Sequence, residues 1–362
     1  MKRTRGRVVD VITLDEFDRR LASGVRSLAG WRVTGLDLRS RGPALASVVV
    51  EQSLFLNCTF TPAVEEAVRR RGAVVVPRVP HVPLDTFRSA LYSPRELYDT
   101  IDYADSLDAR TYAWSRGEPS QDDALAQALH DHSIDTALET WVEGRSIVGV
   151  MGGHELHRGS AAYADAAHLG RLLAASFTVA TGGGPGAMEA ANLGAFLSAA
   201  PSSGLDSALA ALGAVPTFER DIEAWADAAF EVIDAHSPGV ESLGIPTWHY
   251  GHEPPNPFAT AIAKYVRNAT REAILLEVCN AGIVFLPGAG GTVQEIFQDA
   301  CENYYADESS LAPMVLVGVT HWTSSVPAWP LLSALAAGRA MEGHVHLVDT
   351  VDEAMELLKP GG

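Results

Sequence analysis

The sequence predicts a Rossmann-like, doubly wound parallel α/β sheet, preceded by a small α+β N-terminal domain. From Arg145 onward, short apolar runs alternate with helical segments, an order typical of a parallel sheet covered on both faces. Two of these apolar runs lead through a glycine-rich loop directly into a helix. With 362 residues, of which 47% are hydrophobic, the chain is long enough for two folded domains.

The charge of the chain excludes some classes of partner. A net charge of −18 disfavours binding to nucleic acid or to an anionic membrane through a general basic field. Cys58, Cys279 and Cys301 are widely spaced and odd in number, which is typical of a reducing compartment. The N-terminus has no apolar core of a signal peptide, and no apolar run approaches the length of a membrane span. We therefore expect a cytoplasmic protein.

The chain divides into three predicted segments. Residues 1–95 form the small α+β domain, whose role the sequence leaves open. Residues 96–144 form a helical linker region, in which residues 131–143 have apolar residues close to helical spacing. Residues 145–362 form the predicted Rossmann-like domain.

The third segment contains the alternating pattern. Its predicted strands are residues 146–151, 177–180, 215–218, 229–233, 283–286, 313–319 and 344–348. Its predicted helices include residues 161–175, 187–199, 259–278, 292–304 and 351–358.

Two glycine loops follow strands of this segment. The first glycine loop is residues 182–186, and the second glycine loop is residues 287–291. A strand, a glycine loop and a helix N-terminus together make an anion site, because free amides and the helix dipole face the ligand. A third turn follows the first strand and could line the same crevice. The predicted phosphate- or substrate-binding residues are Gly152, Gly153, Gly183, Gly184, Gly186, Met188, Glu189, Gly288, Gly290, Gly291 and Thr292.

Glu295 lies one turn inside the helix that follows the second glycine loop, for which Thr292 is the predicted N-cap. A carboxylate beside a phosphate pocket is not there to bind phosphate. We predict that Glu295 is a general base or stabilises developing positive charge. The alternative is that it only offsets the helix dipole.

The motifs together resemble the LOG (lonely guy) family, many members of which were once labelled lysine decarboxylases. Its pattern is a glycine triplet followed by Met, an Arg-Lys pair, and P-G-G-x-G-T-x-x-E, and the resemblance extends from Arg145 to about Tyr304. Glu272 stands where the family usually has Lys, and Ala289 replaces the second Gly. Characterised members are nucleoside 5′-monophosphate phosphoribohydrolases, which release free base and ribose 5-phosphate.

The resemblance implies a role for each matching residue. Arg271 and Glu295 match the catalytic pair of the family. Arg271 could hold the phosphate or orient Glu295 by a forked pair, or it could be a surface residue paired with Glu277 or Glu272. The implied partner is a small-molecule nucleotide, with no cofactor and no metal, and a homodimer or higher homo-oligomer is expected.

Other interpretations stay open at this point. The protein could bind a nucleotide without cleaving it and act as a regulator. A nicotinamide-dependent oxidoreductase is also possible, because Gly182, Gly184 and Ala187 match the dinucleotide fingerprint, which is weak evidence alone. The roles of two polar loops stay unassigned. The first polar loop contains His154, Glu155 and His157, and the second polar loop, residues 246–256, contains Trp248, His249, Tyr250, His252 and Glu253.

Overall fold

The computed structural model describes residues 9–249 and 253–358. The chain forms two compact units. The first unit comprises Met1–Ser89 and Pro119–Ser133, and the second unit comprises Ala90–Glu118 and Ile134–Gly362. Tyr250 and His252 of the second polar loop lie outside the described residues.

The first unit is a regular alternation of strands and helices. Its elements are β1 (Val9–Val11), α1 (Leu14–Ala22), β2 (Trp31–Thr34), α2 (Gly42–Ala46), β3 (Leu54–Leu56), α3 (Pro62–Arg70) and β4 (Val74–Val76). The four strands are parallel and adjacent in chain order, and neighbouring strands pair residues 20 to 22 positions apart. The three helices pack on one face of this sheet through Phe17, Leu45 and Val68. This unit is therefore a repeated strand–helix stack, in which each repeat contacts its neighbours.

The second unit is built on a seven-stranded sheet. Its strands are β5 (Ile147–Met151), β6 (Thr178–Thr181), β7 (Leu243–Gly244), β8 (Ala261–Ile262), β9 (Ile283–Phe285), β10 (Met314–Val317) and β11 (Val345–Val348). The strand order is β11-β10-β9-β5-β6-β7-β8, and every pair is parallel. The chain thus adds strands to one side of β5 and then returns to its other side with β9. This confirms the doubly wound α/β fold, with its switch point between β5 and β9.

Three further helices precede β5: α4 (Pro94–Leu97), α5 (Leu107–Ser115) and α6 (Gln121–Val142), of which residues 121–133 belong to the first unit. The helices that connect or follow the strands are α7 (Ala161–Leu173), α8 (Ala187–Phe196), α9 (Ser202–Leu212), α10 (Ile222–His236), α11 (Asn268–Glu277), α12 (Gly290–Tyr305), α13 (Trp329–Ala336) and α14 (Val351–Leu358). One core cluster joins Val148, Val179 and Val284 of the strands to buried residues of α7, α8 and α14. On the opposite face, Gly149 lies against Cys279 at the end of α11. Both faces of the sheet are therefore covered.

Some of the predicted elements were wrong. Residues 229–233 lie inside α10, where Trp225, Ala226, Ala229 and Val232 are buried at helical spacing. Residues 215–218 form no strand, and the predicted helix over residues 259–278 begins only at Asn268 because β8 precedes it. Within the described residues, no helix combines the length and the apolar character needed to cross a bilayer.

Candidate functional site

A cavity of about 540 Å³ opens at the switch point of the second unit. Its wall includes the turn after β5 and the second glycine loop after β9. The predicted site residues that line it are Gly152, Gly153, Met188, Arg271, Gly288, Gly290, Gly291, Thr292 and Glu295. Pockets of roughly 300–1,000 Å³ are usual for small-molecule ligands. The cavity is thus large enough to hold a nucleotide-sized molecule.

The second glycine loop leaves open space at its end. A Cβ atom added at Gly290 or Gly291 would meet nothing within 4 Å, and both glycines are exposed. These residues begin α12, and the first amides of a helix have no partner inside the helix. The exposed turn therefore presents backbone N–H groups and the positive end of the helix dipole to the cavity.

Thr292 does not cap this helix, contrary to the sequence prediction. The N-cap is Ala289, and no side chain caps the helix end. Thr292 is buried in the first turn, and its side chain fills the space that a Cβ on Gly288 would need. Gly288 is thus fixed by packing against the first turn of α12.

Glu295 faces the same cavity from the second turn of α12. Its side chain is only 13% exposed, and its Oε1 lies 3.6 Å from Nη1 of Arg271. Burial raises the pKa of Glu295 to about 7, with the charge of Glu272 adding to the increase and that of Arg271 opposing it. Near neutral pH this carboxyl group is therefore close to half protonated, which suits a group that exchanges protons.

Arg271 contacts Glu295 and the backbone at the ends of two strands, β7 and β6. Its Nε donates to the Ile245 carbonyl at 2.7 Å, and its Nη2 donates to the Gly182 carbonyl at 3.3 Å. The forked pair of hydrogen bonds with Glu295 that the sequence allowed is absent, because the contact of 3.6 Å between Arg271 and Glu295 is longer than a hydrogen bond. Arg271 is thus bound to the backbone through Nε and Nη2 and faces Glu295 as an ion pair through Nη1.

Glu272 is a second buried carboxylate on the wall of the cavity. Its Oε1 accepts from Nδ2 of Asn268 at 2.7 Å, and its Oε2 accepts from the side-chain amide of Gln294. The sequence marked Glu272 as a departure from a family pattern and as one possible partner of Arg271. In the structure it links α11 to α12 and places a negative charge beside Glu295.

The first glycine loop is buried and lies behind the cavity wall. The carbonyls of Gly183 and Gly184 accept from the backbone and side-chain amides of Asn256, at 2.9 and 3.1 Å. Gly186 has a φ of +73°, and a Cβ there would lie 2.5 Å from the Gly153 carbonyl oxygen. The structure therefore does not bring Gly183, Gly184 and Gly186 onto the cavity surface with the second loop.

Glu189 is also separate from the cavity. Both Glu189 and Arg158 have side chains only 1% exposed, and Nε of Arg158 donates to Oε1 of Glu189 at 2.9 Å. The same guanidinium lies over the Trp225 ring and donates to the Trp225 carbonyl. Glu189 is thus held in a buried ion pair in the first turn of α8, the helix that follows the first loop.

The side chains of the second polar loop lie in different surroundings, some in the core and some at the cavity. Trp248 is buried, and its indole N–H donates to Asp108 at 2.8 Å. His249 is exposed and does not line the cavity. Glu253 lines the cavity, where its Oε1 lies 3.9 Å from Nδ1 of His154. Among the described residues, no group of three or more His, Cys, Asp and Glu could hold a metal ion.

His321 is a site residue that the sequence did not reveal. It lines the cavity from the turn after β10, and its Nε2 lies 2.9 Å from the Gly288 carbonyl oxygen. The sequence placed a strand at residues 313–319, two residues before His321. However, it could not show that this strand lies beside β9, which is the fact that brings His321 to the second loop.

Comparisons with known proteins show a distant structural likeness. No family model matches the chain, and no curated protein matches it. A molybdenum cofactor binding protein from Rippkaea orientalis has 18% identity and a TM-score of 0.37, covering 60% of this chain and 97% of its own. Two structures of the molybdenum cofactor carrier protein from Chlamydomonas reinhardtii have 19% identity and TM-scores of 0.36 and 0.35. Each covers 59% of this chain and 96% of its own.

These findings overturn the resemblance to the LOG family. The three structures named above are molybdenum cofactor proteins and not LOG proteins, and no family model supports the LOG assignment. Glycine loops after parallel strands occur in many α/β folds, so short motifs of this kind identify an anion site more readily than a family. The roles of Arg271 and Glu295 must therefore be argued from their own geometry.

Proposed function

We propose that this protein hydrolyses the N-glycosidic bond of nucleoside 5′-monophosphates, releasing free base and ribose 5-phosphate. The observation that carries this proposal is the position of Glu295. It is a nearly buried carboxyl group with a pKa near 7. It shares one cavity and one helix with the backbone N–H groups of the first turn of α12, which can bind an anion. We call the backbone N–H groups of Gly290, Gly291 and Thr292 the anion seat.

The spacing along α12 suits a 5-phosphorylated sugar. At a rise of about 1.5 Å per residue, Glu295 lies roughly 5–8 Å along the helix axis from the anion seat. This separation is comparable to the length of a pentose 5-phosphate from its phosphorus to its anomeric carbon. A phosphate on the anion seat would therefore hold the anomeric carbon near Glu295 and supply the orientation that accelerates attack.

The chemistry requires a base and a stabiliser of positive charge. As the bond from the anomeric carbon to the base nitrogen breaks, its electron pair stays with the base, and the ribosyl group becomes oxocarbenium-like. Ionised Glu295 stabilises this cation and accepts a proton from the attacking water, whose oxygen bonds to the anomeric carbon. The departing base takes up a proton from solvent, and Glu295 releases to solvent the proton it accepted. In net terms, the hydroxyl group of water is added to the ribosyl group and its proton to the base. Arg271 keeps its proton throughout and holds Glu295 in place.

A product screen tests the proposal. Pure protein is incubated with AMP, GMP, CMP and UMP, and free base and ribose 5-phosphate are quantified. We expect both products in equal amounts from at least one nucleotide. Release of phosphate with the nucleoside left intact, or the absence of any product, would contradict the proposal.

The first prediction is that Glu295→Gln lowers turnover at least ~100-fold, the usual scale for the loss of one acid–base group. The amide keeps the shape of the side chain but neither accepts the proton nor carries the charge. Glu302→Gln is the matched control, because Glu302 is an exposed acid on the same helix. Equal turnover in the wild type and in Glu295→Gln would remove Glu295 from the mechanism.

A second candidate function is nucleotide binding without cleavage. It is favoured by the contacts of Arg271, whose guanidinium is bound to two backbone carbonyls and to Glu295 and offers little to a substrate. Calorimetric binding of AMP with no release of base would support this function. Base release that depends on Glu295 would exclude it.

A further inference from the structure

His321 comes from the strand beside the second glycine loop. β10 pairs with β9 in parallel, with Leu316 opposite Phe285, so the turns after both strands leave the same edge of the sheet. His321 begins a π-helical turn, His321–Ser325, directly after the turn that follows β10. π-helical turns are rare and are found frequently at functional sites. The sheet topology therefore places this histidine against the loop that leads into the anion seat.

The imidazole ring is held on its other side by a buried aromatic residue. The ring of Trp322 meets it edge to face, with centroids 4.5 Å apart. Trp322 is fully buried, and its indole N–H donates to the Val317 carbonyl at 2.9 Å. The ring of His321 is thus supported by packing, which lowers the entropy lost when it makes a directed hydrogen bond.

Nε2 of His321 lies close to both backbone polar groups of Gly288. It lies 2.9 Å from the Gly288 carbonyl oxygen and 3.3 Å from the Gly288 amide nitrogen. A single ring nitrogen cannot donate and accept at once, and the shorter distance favours donation to the carbonyl. Because the peptide bond is planar and trans, holding the Gly288 carbonyl toward His321 turns the Ala289 N–H in the opposite direction.

The peptide group between Gly288 and Ala289 has few other polar contacts among the described residues. The next residues, Gly290 and Gly291, have open space around them, and the N-cap residue Ala289 makes no side-chain cap bond. On the other side, Gly288 is packed against Thr292. His321 therefore supplies a polar side-chain contact to the loop at the point where its orientation sets the start of α12.

We propose that His321 is a positioning residue of the anion seat, which holds the Gly288 carbonyl so that the helix N-terminus can receive a phosphate group. This inference rests on the proposed function only in taking the ligand to be a phosphorylated sugar. It concerns the binding of the phosphate and not the cleavage of the base.

The test compares His321→Leu with His321→Gln. Leucine removes the donor at similar size, whereas the glutamine amide places an N–H near the position of Nε2. Binding of ribose 5-phosphate and of unphosphorylated ribose is measured by calorimetry for each protein. We expect His321→Leu to weaken ribose 5-phosphate binding roughly three- to tenfold, the effect of one hydrogen bond, and His321→Gln to restore most of it. His168→Leu, a substitution of a half-exposed histidine on α7, is the control.

The outcomes separate this inference from the proposed function. If no protein releases base but ribose 5-phosphate binding still depends on His321, the proposed function fails and this inference stands. If base release is observed, His321→Leu should mainly raise KM, with little change in kcat. Equal binding of ribose 5-phosphate by the wild type and His321→Leu would overturn the inference. So would an equal loss in His321→Leu and His321→Gln, because packing alone would then explain it.

Discussion

The two glycine loops of the second unit look equivalent in sequence and differ in structure. Each follows a parallel strand and leads into a helix that carries a glutamate. In the first glycine loop, a Cβ at Gly183 would lie 2.6 Å from Pro246, and a Cβ at Gly186 would lie 2.5 Å from a backbone oxygen. In the second glycine loop, a Cβ at Gly290 or Gly291 would meet nothing.

This difference shows that glycine is required in these loops for two separate structural reasons. The first loop needs glycine because neighbouring chain segments occupy the space of a side chain. In the second loop, Gly288 is packed in the same way, but Gly290 and Gly291 leave this space free, so that a ligand could approach backbone amides. Their glutamates differ in the same way, since Glu189 is held in a buried ion pair while Glu295 faces the cavity.

The largest expected effect is on stability, from Gly186→Ala. The alanine would need a positive φ and would press its Cβ against the Gly153 carbonyl. We expect a loss of about 3–5 kcal/mol in the free energy of unfolding, combining backbone strain with overpacking. Urea unfolding followed by circular dichroism measures it. A variant as stable as the wild type would show that the first loop is not fixed by packing.

The next effect comes from Glu189→Gln, which removes the charge that compensates Arg158. Breaking a buried pair by removing one partner is strongly destabilising, and the amide oxygen recovers part of the interaction. We expect the free energy of unfolding to fall by roughly 2–3 kcal/mol at pH 7. Urea unfolding of Glu189→Gln and of the wild type under identical conditions measures the difference. An unchanged stability would place Glu189 outside a compensated pair.

The effect of Glu295→Gln on the free energy of unfolding should have the opposite sign, and its size should depend on pH. The folded state raises the pKa of Glu295 from 4.5 to about 7, so the folded protein binds more protons than the unfolded chain between these values. The contribution of Glu295 to stability therefore falls as the pH rises through this window, and the amide avoids that loss. The free energy of unfolding of Glu295→Gln, relative to that of the wild type, should increase by about 2–3 kcal/mol from pH 5 to pH 8. Urea unfolding at both pH values tests this, and a relative stability independent of pH would contradict the raised pKa.

The smallest effect on stability is expected from Gly290→Ala. This position has open space and lies in the first turn of a helix, where alanine is favoured over glycine by up to about 1 kcal/mol. Its methyl group nevertheless occupies space at the anion seat. We expect stability to be unchanged or slightly higher while KM for the nucleotide rises roughly tenfold. Unchanged KM would show that the phosphate does not approach this turn.

The sequence predicted the central strands of the second unit closely. The apolar runs at residues 146–151, 177–180, 283–286 and 313–319 all contain strands, because strands buried on both faces are continuously apolar. β7 and β8 were missed, since two residues each give no pattern. The repeat in the first unit was missed as well, because its shared feature is spacing rather than residue identity.

The cavity was predicted in outline from its loops, and the parts that were missed depend on neighbours in space. The local sequence does not distinguish the packed glycines of the first loop from the open Gly290 and Gly291 of the second. The contacts of Arg271 with Ile245 and Gly182, and that of His321 with Gly288, join residues that are distant in sequence. These contacts follow from strand order, which the sequence alone did not supply.

The most direct test is a crystal structure of Glu295→Gln with AMP, in which slow turnover preserves the ligand. The account predicts the phosphate within hydrogen-bond distance, about 3 Å, of the amides of Gly290, Gly291 and Thr292. It also predicts the side chain of residue 295 beside the anomeric carbon. A phosphate bound against the first glycine loop, or an anomeric carbon far from residue 295, would contradict it.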